Sequence, residues 1–409
     1  MLSAARPERF FGPERLLLAG LLGLVCCLYS LLARDTYAQD FRAYYVAALV
    51  SHAGMDPYYN QINVDEKYAD RDWLEVSSRF IYPPSSLMLF APLSHLPYRV
   101  AKVAFGTSAA VLMACVLWFL AGKFPHVPWL PLGLFLSLPM ASNVDNGQVD
   151  GLILALGLTA FYARRSWLGG IALGVAIAIK LSPVLLLFWL VTNRRWATAL
   201  WAIVTGVALT AASVAIWGVG LYREFFDHLR HHLAANPPML QHVFRTFSVI
   251  YGRFVVIGTS SYSLHYFYGV RQNPLRVFGS AVGIAGLLCV AAYVAWTRLT
   301  RAGRGLDDEA SFFGFLVVAL LANPLLWPAG LVACFPLTLL LANRARNGLR
   351  WGMLMLLPFF APIEFIADRR FLFWLAAAGA CLWTMRSGKS ETSQARPGDV
   401  LSPAIVAAE

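Results

Sequence analysis

Four long, predominantly apolar runs, residues 16–32, 100–120, 196–217 and 277–296, constrain this chain more than any other feature. Each approaches the roughly 20 residues that an α-helix needs to cross the hydrocarbon of a bilayer. Hydrocarbon offers no partner to backbone N–H and C=O groups, so only helices or a closed barrel can span it. The alternating segments of about ten residues that build a barrel are absent. With 58% hydrophobic and 13% charged residues among 409, the chain exceeds what a soluble domain carries. The prediction is an all-α, polytopic transmembrane helical bundle. Arg6, Arg9 and Arg15 before the first run and Ala33 after it suggest a signal peptide, but the run is long and no A-x-A-like site closes it.

Arginine placement in short loops sets the orientation. Arg164-Arg165, Arg194-Arg195, Arg298/Arg301/Arg304, Arg344/Arg346/Arg350 and Arg386/Lys389 share one side with the N-terminal arginines, which makes that side the cytoplasm. The opposite, periplasmic or extracellular side then receives an outward loop at 34–99, a second at 221–274, and the shorter segments 143–148, 323–328 and 362–370. The formal charge of +11 is accounted for by orienting arginines beside an anionic inner leaflet, so no nucleic-acid partner is expected. Six cysteines, at 26, 27, 115, 289, 334 and 381, lie inside apolar runs with no metal-type pairing and read as packing residues. Residues 387–409 read as a disordered cytoplasmic tail, leaving 1–386 as a single integral membrane domain.

One segment breaks the simple alternation of sides. Residues 167–179 and 183–191 are joined by Lys180-Leu181-Ser182, yet arginine pairs of the inside type stand at both ends. Two half-helices meeting at the Lys-x-x-Pro corner return the chain to the side it left, which predicts a re-entrant hairpin with Lys180 at its tip. A continuous helix with Lys180 snorkelling is the alternative. With the hairpin set apart, about ten full crossings result and both termini lie inside. The first outward loop is too long for a connector and is expected to carry amphipathic helices, such as 67–76, on the membrane surface.

The polar residues of the outward side carry the chemistry. Asp40, in Asp40-Phe41-Arg42-Ala43-Tyr44, stands a few residues past the first span, where a carboxylate stays ionised in a wet cavity at little cost. That position suits a general base acting on a lipid-linked substrate. Tyr82-Pro83-Pro84 precedes the second span. Asn146-Gly147-Gln148 is either a plain turn, which Gly147 favours, or a pair of amides holding sugar hydroxyls at a cavity rim. Trp327, within Asn323-Pro324-Leu325-Leu326-Trp327-Pro328, is an interface anchor or a platform for a sugar ring. His228, His231 and His232 lack a nearby acidic or cysteine ligand, so a polar surface helix explains them as well as a metal does. Asp70-Arg71-Asp72 matches the D-x-D of soluble nucleotide-sugar transferases, but reads more simply as a solvated face. No Walker-type glycine loop is present.

In order along about residues 15–345, Asp40-Phe41 with Tyr44, Ala47-Ala48, Gly54-Met55-Asp56-Pro57-Tyr58, Tyr82-Pro83-Pro84, Pro92-Leu93, Asn146-Gly147-Gln148 and the segment 174–183 with Lys180 resemble the family 87 glycosyltransferases. These are polyprenol-phosphate-mannose-dependent mannosyltransferases of the GT-C superfamily, including actinobacterial enzymes that extend phosphatidylinositol mannosides. The resemblance implies a GT-C-type bundle in a bacterial inner membrane, a polyprenyl-phosphate sugar donor, a glycolipid or glycan acceptor, and inverting transfer with no metal cofactor. It implies Asp40 as base, Lys180, Arg245 and His242 toward the donor phosphate, and Tyr44, Tyr82, Asn146, Gln148 and Trp327 toward sugar or acceptor. After Asn323-Pro324 many members carry a Trp followed by histidines, whereas Trp327 is followed here by Pro328-Ala329-Gly330. Any role of those histidines is therefore not carried over, and His242 or Arg245 is the expected substitute. A lipid-linked pentose transferase fits the same outward loops; a lipid or solute transporter would show paired interrupted halves, and no internal repeat is present.

Overall fold

A computed structural model of the chain describes residues 12–36, 38–58, 80–235, 308–321, 328–345, 347–360 and 378–380. The described residues are helical and contain no strand. The helices in chain order are α1 Pro13–Asp35, α2 Gln39–His52, α3 Leu87–Ser94, α4 Tyr98–Lys123, α5 Leu130–Phe135, α6 Leu138–Asn146 and α7 Asp150–Tyr162. They continue with α8 Ser166–Ile179, α9 Leu185–Thr192, α10 Trp196–Trp217, α11 Gly220–Ala235, α12 Asp308–Leu321, α13 Phe335–Arg344 and α14 Gly348–Phe360. Three of these, α1, α4 and α10, are long and apolar enough to cross a membrane. They coincide with three of the four apolar runs; the fourth, 277–296, lies outside the described residues.

The helices sort polar groups to two opposite ends. Helices α1 and α4 pack antiparallel, with Arg15 Nη2 donating to the Trp118 carbonyl at 3.0 Å at one end and Lys102 Nζ donating to the Arg34 and Thr36 carbonyls at 2.9 and 2.7 Å at the other. Lys102 thereby satisfies carbonyls that the last turn of α1 leaves without helical partners, and its charge complements the helix dipole there. At the Arg15 end lie Tyr162, whose hydroxyl donates to Glu309, Lys123 over the Tyr162 ring, and the pairs Arg195–Asp308 and Arg344–Glu309. At the Lys102 end lie α2, the start of α7 and the end of α8.

The sequence 166–192 reverses within the bundle. Helix α8 stops at Lys180, whose backbone is extended, because Pro183 lacks an N–H and its ring would strike the carbonyl of Ile179 in a continued helix. A 3-10 turn, Ser182–Val184, starts the return through α9. Lys180 pairs with Asp150 at the first residue of α7, while the Trp189 ring meets the Phe161 ring near the last turn of α7. Helix α8 lies close against α10 because Gly170 and Gly174 carry no side chain: a Cβ at 170 would meet the Thr198 carbonyl and Trp201, and one at 174 the Ala202 carbonyl and Thr205. Small residues one turn apart allow this backbone approach in membrane helices.

The first outward loop departs from expectation in one respect. Helix α2 is not an amphipathic surface helix, since Phe41 to Ala48 are all buried. Apart from the buried Arg42, that stretch consists of small, aromatic and aliphatic residues, with Ala43, Ala47 and Ala48 among Phe41, Tyr44, Tyr45 and Val46. An aromatic cluster surrounds it, with Tyr44 stacked on Phe90 at 4.4 Å and edge-on to Tyr82 at 4.9 Å. Such pairs each add about 0.5–1.5 kcal/mol beyond area burial. Residues 67–76 and Asp70-Arg71-Asp72 lie outside the described residues.

Candidate active site

Asp40 sits in the first turn of α2, one turn before Tyr44, so both side chains leave the same face of the helix. Across from them the chain between α6 and α7 supplies Gln148. Helix α6 ends at Gly147, which has φ +65°, and the place of a Cβ on this glycine is occupied by Phe41. A residue with a side chain would therefore push the 146–148 turn away from α2. The turn that Gly147 suggested is real, and its purpose is close approach.

That approach lets Gln148 complete a chain of hydrogen bonds. Gln148 Nε2 donates to Asp40 Oδ2. Tyr44 donates to Tyr82 at 2.8 Å, Tyr82 donates to Gln148 Oε1 at 3.3 Å, and the Tyr44 hydroxyl oxygen stands 3.4 Å from the same amide oxygen. Burial, first, and the neighbouring phenols and carboxylates raise Tyr44 well above the usual tyrosine range. Tyr82 is pushed up to about 12, again chiefly by burial, with Lys180 opposing. Both therefore remain protonated donors at neutral pH. Gln148 is 6% exposed, and its amide oxygen and nitrogen are each committed to this chain.

Lys180 adjoins the network through Tyr82, its Nζ 6.0 Å from the ring centroid. The anion that its ammonium requires is Asp150, at 2.7 Å. Sequence reasoning missed Asp150, although it lies two residues past Gln148 and opens α7. It also missed Ser85, whose hydroxyl donates to the Ala178 carbonyl and ties the Tyr82-Pro83-Pro84 segment to the end of α8. Asn143 was missed too: buried, it donates to the Ala329 and Pro139 carbonyls and accepts from Gly151 N–H, joining α6, α7 and the 3-10 segment Pro328–Cys334.

Thus Asp40, Tyr44, Tyr82 and Gln148 come together and Lys180 stands beside them. Asn146 does not join; its amide donates back to Ser142 within α6. Arg245, His242 and Trp327 lie outside the described residues. His228 is not on a solvated face but buried, its ring 5.6 Å from that of Tyr58. The side chains of His231 and His232 lie outside the described residues.

An all-α membrane protein with a carboxylate, two phenols, an amide and an ion pair gathered at one end of its bundle is the class these features define. The profile of glycosyltransferase family 87 matches residues 80–328, more than half of the chain, and the chain belongs to that family. Among curated relatives it is similar to a polyprenol-phosphate-mannose-dependent alpha-(1-2)-phosphatidylinositol pentamannoside mannosyltransferase of Mycobacterium tuberculosis, 26% identical over 68% of this chain and 63% of the relative. The Mycolicibacterium smegmatis protein of the same description is 26% identical over 68% of this chain and 66% of the relative. An alpha-(1->3)-arabinofuranosyltransferase of Mycobacterium tuberculosis is 25% identical over 76% of this chain and 73% of the relative. The chain thus spans just under two thirds of the length of the two mannosyltransferases. No solved structure matches.

Proposed function

We propose that the protein is a membrane glycosyltransferase that moves a sugar from a polyprenyl-phosphate donor to a hydroxyl of a glycolipid or glycan. The carrying observation is Asp40, held on one oxygen by Gln148 at the bundle end remote from the arginine-rich one. In a single displacement the acceptor hydroxyl gives its proton to Asp40 and its oxygen attacks the anomeric carbon from the face opposite the phosphate. The bond from that carbon to the phosphate oxygen breaks, and polyprenyl phosphate leaves with the electron pair. Inversion follows from the geometry, with charge spread as in inverting glycoside hydrolysis. The leaving group departs as an anion, so the reaction calls for cationic stabilisation rather than protonation.

Lys180 is the described candidate for that stabilisation, one of its three N–H donors being directed at Asp150. Arg245 and His242 complete the proposed phosphate contacts, and Asn146 and Trp327 the sugar side. Tyr44, Tyr82 and Gln148 stay on the proposed sugar or acceptor side, with Gln148 also holding Asp40. The segment 166–192 is read as a re-entrant hairpin entering from the cytoplasm, with its tip at the site. The protein lies in the bacterial inner membrane with the Asp40 end outward, and catalysis needs no metal.

Mannose is the first choice of sugar, from the relatives named as mannosyltransferases; the arabinofuranosyltransferase relatives make a lipid-linked pentose the second. The test is transfer of radiolabelled sugar from each donor by purified protein in lipid, wild type beside Asp40→Asn, with membrane extract as acceptor source. Product from the wild type alone establishes donor and base together. Product from neither, with both donors, would sink the transferase reading.

A further inference from the structure

Helix α2 has a second end, and a cavity opens there. A cleft of about 310 Å³ is lined by Ser51, Gly54, Met55, Asp56, Ile216, Trp217, Leu221 and Glu224, between the end of α2 and the junction of α10 with α11. Neither the hydrogen-bond chain at Asp40 nor the Lys180–Asp150 pair uses any of these residues.

The chemistry of the lining narrows the ligand. Among the described residues the lining holds two carboxylates and no cation, a balance that disfavours an anionic phosphate. Asp56 commits one oxygen to the backbone N–H of Tyr58 and keeps the other. Glu224 makes no hydrogen bond or ion pair among the described residues, although it is partly buried. Burial raises the Asp56 carboxyl, the Tyr58 N–H opposes this, and Glu224 adds to it, so the two acids feel one another across the cleft. The same lining includes Trp217 and the apolar Met55, Ile216 and Leu221. Carboxylate acceptors beside an aromatic face suit a neutral polyhydroxyl ring, whose hydroxyls donate to the acids and whose C–H face lies on the indole. An acyl chain would leave both acids desolvated without partners.

Position supplies the role. Eleven residues of one helix separate Asp40 from Ser51, or about 16 Å at 1.5 Å per residue. A single sugar at Asp40 does not reach so far, whereas a short oligosaccharide does. We infer that this cleft is a distal subsite for a neutral sugar of the acceptor glycan, gripped by Glu224, Asp56 and Trp217 while the acceptor end lies at Asp40. The inference rests on the transferase reading for its role, though not for its ligand chemistry.

Two measurements separate the two. Binding of octyl mannotetraoside and octyl arabinofuranotetraoside to the full chain in nanodiscs is followed by saturation-transfer NMR, without donor, for wild type, Glu224→Gln and Trp217→Leu. At least one probe should bind the wild type, and each substitution should weaken it about tenfold, the equivalent of one hydrogen bond to a charged group. In transfer assays the preference of the enzyme for the tetraoside over the octyl monosaccharide should fall by a similar factor. Failure of both probes to bind, or equal binding by all three proteins, overturns the subsite. Binding that obeys the prediction without any transfer overturns the transferase reading and leaves the sugar site standing. Glu224→Gln is isosteric, so the inference does not depend on Trp217→Leu folding.

Discussion

Gln148 donates to Asp40 while its other amide atom accepts from the buried Tyr82, to which Tyr44 donates in turn. This fixes the orientation of the amide: with the oxygen committed to a hydroxyl donor, the nitrogen must face the carboxylate. An ionised Asp40 is the form such a donor favours, and it is the ionised carboxylate that can take up an acceptor proton.

Removing that donor should alter the base without deleting it. Gln148→Leu is expected to lower kcat and move the acid limb of the kcat/KM profile to higher pH, since the carboxylate loses a hydrogen bond to its charged form. Gln148→Glu should move it further, because a second carboxylate then stands beside Asp40. A profile unchanged in position in both variants would show that Gln148 has no hold on the base.

Asp40→Asn keeps the shape of the site and removes its proton acceptor. General-base catalysis contributes roughly 10²–10⁴-fold, so turnover should fall by at least that lower figure while expression and donor binding persist. Radiolabelled transfer at saturating donor is the measurement, and near-normal turnover would remove Asp40 from the role.

Lys180 and Asp150 are both largely buried and stand 2.7 Å apart. Loss of one partner of a buried pair costs about 3–5 kcal/mol because the other charge is left unpaired, whereas loss of both costs less. Lys180→Ala and Asp150→Ala should each lower the melting temperature in detergent by more than the double variant does; strictly additive shifts would contradict the coupling. Among folded variants, Lys180→Ala should raise KM for the donor more than for the acceptor, and equal rises would argue against a phosphate contact.

Much of this arrangement is legible along the chain. Hydrophobic length alone gave α1, α4 and α10, because hydrocarbon thickness leaves a helix few alternatives. Asp40, Lys180 and Gln148 were visible as polar residues at apolar boundaries. Their relations were not: that Lys180 meets Asp150, or that Gln148 meets Asp40, depends on how α6, α7 and α8 pack, and no local pattern encodes that. Helix α2 misled for a related reason. A segment beyond a span reads as a surface helix, yet its alanines and aromatics demand burial, and the neighbouring Phe80, Tyr82 and Phe90 supply it.

Asp56 offers a test by pH. Its carboxyl is raised by burial, so ionisation is less favourable in the folded chain than in the unfolded one. A raised carboxyl favours the fold most at pH below the unfolded value and loses that contribution as pH rises through the folded value. The penalty is therefore larger at neutral pH than in acid. Asp56→Asn, which keeps an oxygen for Tyr58 N–H, should therefore raise the melting temperature at neutral pH, and the gain should shrink on acidification. A gain that grows as pH falls would reverse the assignment.

Gly147 is where backbone and site depend on each other most directly. Its φ of +65° disfavours any side chain, by roughly 1–2 kcal/mol for an L-residue. Here the cost is compounded, since a Cβ would overlap Phe41, the residue that follows Asp40. Relief requires either α2 to shift or the 146–148 turn to retreat, and both movements lengthen the bond between Gln148 and Asp40. Gly147→Ala should thus lower the melting temperature modestly and kcat more severely, with the pH profile displaced in the same direction as in Gln148→Leu. Paired thermal and kinetic measurements decide it: a stability loss with an undisplaced profile would mean that Gly147 serves the fold alone.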